Sequence, residues 1–73
     1  MRTNLKEARK AKGMTQQQMA DYLCMSHRHY QRIESGFTLG TFEAWDALED
    51  LLEIHQRKLR EISDNRHVQV KNQ

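Results

Sequence analysis

Between Met25 and Gly36 the chain reads MSHRHYQRIESG, with two histidines, two arginines, a tyrosine and a glutamine in one short stretch. Side chains of these types bind metal, move protons or hydrogen-bond to nucleic acid, and their spacing separates the three. On a helix, residues i and i+2 project about 200° apart, so His27 and His29 cannot converge on one ion; ligand pairs stand at i, i+3 or i, i+4. Cys24, His55 and His67 show no ligand spacing either, so neither a metal nor another cofactor is expected. No nucleophile, base and orienting group stand together, so no enzyme is expected. Recognition remains. With about 100° between successive helical residues, Tyr30 and Ile33 fall on one side. Arg28, Gln31 and Arg32 fall opposite, with His27 at the edge. That second face has no apolar residue. Arginine matches guanine and glutamine matches adenine in the major groove of duplex DNA. An ordinary solvated face is the alternative reading of the same residues.

Such a face is useful only if short, well-stopped helices present it. Asn4 followed by Glu7 fits a capping box and opens a helix over about 4–12, closed by a cationic run and Gly13. Thr15 and Gln18 repeat the box and open a second helix, about 16–23, with Met19, Ala20 and Leu23 as its buried stripe. Ser26 caps a third, about 27–35, which ends at Gly36. Two helices of about eight residues with a tight joint must cross steeply, as in a helix-turn-helix. Thr41 caps a longer helix rich in Ala, Leu and Glu. The fold class is therefore all-α, a small bundle of four helices with the last one long. Residues 63–73 are polar and aperiodic and read as a frayed tail.

The whole chain of 73 residues carries a net charge of only +2, unevenly spread. Residues 1–40 hold seven Lys/Arg against three acids, and residues 41–62 hold three against six. A cationic front suits a polyanion and an acidic rear suits solvent or another protein. No window approaches the roughly 18 apolar residues of a membrane span. No apolar leader opens the chain, and its single cysteine forms no internal disulfide. Both fit a cytoplasmic location.

The stretch TQQQMADYLCMSHRHYQRIESG resembles the helix-turn-helix of the phage-repressor family, the Cro and repressor type also called XRE-like. In that family a pattern close to T-Q-x-x-L-A-x-x-L-G-V-S-x-x-x-I-x-R-I-E-x-G recurs. Thr15, Gln16, Ala20, Leu23, Ser26, Arg32, Ile33, Glu34 and Gly36 match it, and Met19, Met25 and Tyr30 are apolar substitutes. Cys24 stands where the family has glycine in the turn. Phe37 and Gly40 replace a basic residue and a proline after Gly36. The resemblance implies a lambda-repressor-like domain that binds double-stranded DNA. It implies base reading by His27, Arg28, Gln31 and Arg32, and phosphate contacts by Gln16, with Thr15 and Thr41 as weaker additions. It also implies that Arg9 pairs with Glu34, bridging the first helix to the third, rather than joining the DNA surface.

From Trp45 the apolar positions step 45, 48, 52, 55, 59, 62, alternating three and four, with His55 the one polar member. That seven-residue period reads as a seam. It leads to the expectation of a homodimer through Leu52, His55, Leu59 and Ile62. Tyr30, Phe42 and Trp45 are expected in the core rather than as a stacking platform for single strands. The favoured function is a transcriptional repressor occupying an operator in a phage-like or mobile-element setting. A protein-interaction module, such as an antitoxin or anti-repressor, is the rival.

Overall fold

The computed structural model describes residues 1–62 as five helices: α1 (Thr3–Ala11), α2 (Gln16–Tyr22), α3 (His27–Ser35), α4 (Phe42–Leu52) and α5 (Gln56–Arg60). The expected tail, 63–73, lies outside the described residues. The all-helical class stands, with five helices where four were expected.

Three of the four expected caps form. The Gln18 amide N–H donates to Thr15 Oγ1 at 3.1 Å, while Thr15 N–H donates to Gln18 Oε1 at 2.8 Å, completing the box. Ser26 accepts from His29 N–H at 3.1 Å, and Thr41 accepts from Ala44 N–H at 3.2 Å. These bonds satisfy donors that a helix start leaves free, each contributing about 1 kcal/mol. The box at Asn4 does not form. Helix α1 starts one residue earlier, behind Arg2, without a side-chain cap. The Asn4 amide instead donates to Lys58 O at 3.1 Å and Glu61 Oε1 at 3.0 Å, tying α1 to the end of the described chain. Asparagine suits both roles, and only the tertiary neighbour decides between them.

The long fourth helix is the main correction. It stops at Leu52, because Glu53 takes a left-handed conformation at φ 57°. His55 then caps α5, its Nδ1 accepting from Arg57 N–H at 3.1 Å. The turn folds α5 back onto α1 and α4. Leu59 is completely buried and Leu52 nearly so, both within the chain's own core. Two positions of the expected dimer seam are thus spent inside one molecule. His55 and Ile62 are exposed, and no continuous stripe joins them. A strict heptad in sequence satisfies a helical hairpin as well as a coiled coil, because both ask for apolar residues every three or four positions.

The core gathers Leu5 from α1, Met19 and Ala20 from α2, Tyr30 and Ile33 from α3, Trp45, Leu48 and Leu52 from α4, and Leu59 from α5. Met14 and Met25 pack partly buried against it. Phe42, expected inside, is 75% exposed.

One buried residue was not anticipated. Arg2 is only 4% exposed, yet among the described residues no carboxylate pairs with it. Its Nε donates to Arg60 O at 3.0 Å and its Nη1 to Ile33 O and to Thr38 O, while the guanidinium stands 5.4 Å from the centre of the Trp45 ring. Ile33 and Arg60 carry late carbonyls of α3 and α5, where the helix dipole favours a cation. Burial, and then the nearby Arg60, still lower the Arg2 pKa.

Candidate nucleic-acid interface

The surface expected to meet DNA is α3, and its placement starts at the joint before it. Helix α2 ends at Tyr22 with Leu23 as its C-cap, and Cys24 turns the chain with φ 59°. A non-glycine residue there costs on the order of 1 kcal/mol. Met25 N–H returns to Ala20 O at 2.9 Å, and Ser26 restarts the helix. Gly36 ends it at φ 91°, where a Cβ would also come within 3.1 Å of the Ile62 side chain. Between these two stops, Tyr30 and Ile33 are fully buried, while Arg28, Gln31 and Arg32 are exposed and His27 is half-buried. The two-faced character expected of this helix is present. His29 is exposed.

Arg9 and Glu34 form a two-point ion pair. Arg9 Nε reaches Glu34 Oε2 at 2.8 Å and Nη2 reaches Oε1 at 3.2 Å, while Nη1 donates to Met14 O at 2.7 Å. The Tyr30 hydroxyl donates to the same carboxylate at 2.7 Å. Burial pushes the Glu34 carboxyl up, but the bonds from Arg9, Tyr30 and Gln16 outweigh it and hold the group below its usual value. The bond to Glu34 raises Arg9. Burial and then the carboxylate raise the Tyr30 hydroxyl, which stays protonated.

Gln16 couples this buried group to the exposed face. Its Nε2 donates to Glu34 Oε1 at 3.0 Å. That fixes the amide so that Oε1 points toward Gln31 Nε2 and His27 Nε2, each 3.4 Å away. Two of the four expected base-reading residues therefore rest on the residue expected to hold phosphate. Sequence reasoning assigned Gln16 to phosphate alone. The eighteen residues separating it from Glu34 left no local pattern to reveal the contact. One amide hydrogen of Gln16 and the hydroxyl hydrogens of Thr15 and Thr41 are not used by these bonds. Arg32 extends the face toward the next loop, its guanidinium 5.6 Å from the centre of the Phe37 ring.

The described residues hold no cluster of His, Cys, Asp or Glu that could bind a metal ion. None of their helices is long and apolar enough to cross a membrane.

Short capped helices packed together across a tight turn, with a polar face on the second, define a helix-turn-helix domain. The helix-turn-helix family model of the XRE-like, Cro and repressor type matches residues 5–56, and the chain belongs to that family. It is a family of DNA-binding regulatory domains. No curated protein and no solved structure matches the chain.

Proposed function

We propose that the protein is a sequence-specific duplex-DNA-binding repressor, acting in the cytoplasm by covering an operator as a homodimer. One observation carries this reading. Arg28, Gln31 and Arg32 stand exposed on a helix whose other side is locked into the core. An exposed guanidinium can take guanine O6 and N7 as a fork, and the Gln31 amide can take adenine N6 and N7. Gln16 and Thr15, at the start of α2, address a phosphate through their spare hydrogens and the free N–H groups of that helix end. Thr41 does the same at α4. Repression is then steric, because a groove filled by α3 is closed to other proteins.

Selection of random duplexes on the purified protein tests the reading. A recovered motif with two-fold symmetry is expected. Arg28→Ala should cost roughly 1 to 3 kcal/mol on the recovered site and relax preference at one base position. Equal loss on selected and random duplex would mean that Arg28 does not read sequence. The rival reading, docking to a protein, predicts weak salt dependence of any duplex binding. Phosphate contacts predict a steep one.

A further inference from the structure

The loop between α3 and α4, with the first residue of α4, presents three large apolar side chains to solvent within six residues: Phe37 at 76% exposure, Leu39 at 55% and Phe42 at 75%. Leu39 and Phe42 wall a groove of about 370 Å³ with buried Trp45 among its lining residues, and Glu43 and Arg60 also border it. Neither of these two charges is in an ion pair among the described residues. Projecting aromatic rings beside a groove with room for one, and unlike charges on its border, make a surface complementary to itself. That is what a two-fold interface requires, since each side supplies both the projection and the recess.

We infer that this loop and groove are where a second copy of the chain docks, Leu39 and Phe42 of each copy entering the groove of the other and Glu43 facing Arg60 across the axis. The inference rests on the DNA-binding reading for its consequence. The three side chains offer on the order of 400 Å² per copy, about 800 Å² for a pair, below the roughly 1,200 Å² of a stable interface. The free protein is then chiefly monomeric, and pairing becomes strong when one duplex holds two copies at high effective concentration. Arg32 over Phe37 places the patch beside the reading helix, so neighbours bound to adjacent half-sites can meet there. This replaces the seam expected over 52–62.

The test uses the full chain, a duplex carrying two half-sites from the selection above, and a duplex carrying one. Wild type should bind the first with the second copy favoured about tenfold or more. L39S/F42S should bind the single half-site as wild type does and lose that tenfold. Glu43→Arg, which removes no buried side chain, should show the same loss. In parallel, amide NMR signals of residues 37–43 should move as free wild type is diluted from about 1 mM, within the range of weak pairing, and stay fixed in L39S/F42S. Unchanged cooperativity in both variants would overturn the pairing and leave the DNA reading intact. Dilution shifts at 37–43 without binding to any duplex would keep the pairing and remove the DNA reading. Neither shifts nor duplex binding would remove both.

Discussion

Glu34 receives the Arg9 guanidinium at two points, Nε at 2.8 Å and Nη2 at 3.2 Å, and by doing so fastens α3 to α1 from the inside. Four hydrogen bonds converge on this carboxylate, which is 2% exposed. Glu34→Ala would strand a buried guanidinium, a tyrosine hydroxyl and the Gln16 amide, and should cost about 3 to 5 kcal/mol. R9M/E34L, which removes both charges, should cost less than either single change. Urea unfolding of the three variants checks the order. A double variant no better than the singles would mean that the pair is not the unit.

The same carboxylate sets part of the acid response. Its pKa is lower in the folded than in the unfolded chain. It therefore stabilises the fold fully above its unfolded value, near pH 4.3, and loses that contribution as pH falls through the folded value. The gap in unfolding free energy between wild type and Glu34→Gln should be widest near neutrality and narrow below about pH 4. Urea midpoints at several pH values read it directly. A gap independent of pH would show that charge is not what Glu34 contributes.

Gln16 stands between the buried pair and the reading face, so a charge placed there would act on both. Gln16→Glu would set a second carboxylate 3.0 Å from Glu34 and a negative charge against phosphate. It should weaken duplex binding about tenfold or more, equivalent to about 1.4 kcal/mol, and lower stability as well. Gln16→Ala should affect binding more than melting. Fluorescence anisotropy on the selected duplex, beside thermal melts, separates the two effects.

Among the described residues two that are not glycine hold left-handed turns, Cys24 at φ 59° and Glu53 at φ 57°. Cys24→Gly and Glu53→Gly should each stabilise by about 0.5 to 1 kcal/mol, the relief of strain exceeding the added freedom of the unfolded chain. A rise in Tm of a few degrees is the expected reading for a domain of this size.

Much of the fold was legible because its punctuation is local. Thr15, Ser26, Thr41, Gly13 and Gly36 each act within four residues of themselves, so the helices they bound could be placed from the sequence. The Arg9–Glu34 pair was legible only through the family pattern, since nothing local links residues twenty-five apart. The break at Glu53 was hidden, because glutamate favours helix and the apolar period runs unbroken through the turn. Phe42 was misplaced for a related reason: at the first position of α4 it can be in phase with the core stripe and still lie outside the packed layer. Arg2 was invisible, as its partners are backbone carbonyls, which every sequence contains.

Those carbonyls give the molecule a mechanical property. Arg2 grips Arg60 O, and Asn4 grips Lys58 O and Glu61 Oε1, so the first and fifth helices are buckled to each other without a covalent link. Pulled apart by residues 1 and 62, the protein should give way first at that buckle, peeling α5 from α1 and unseating Leu59. The joint that aims α3 would yield only under the load that follows.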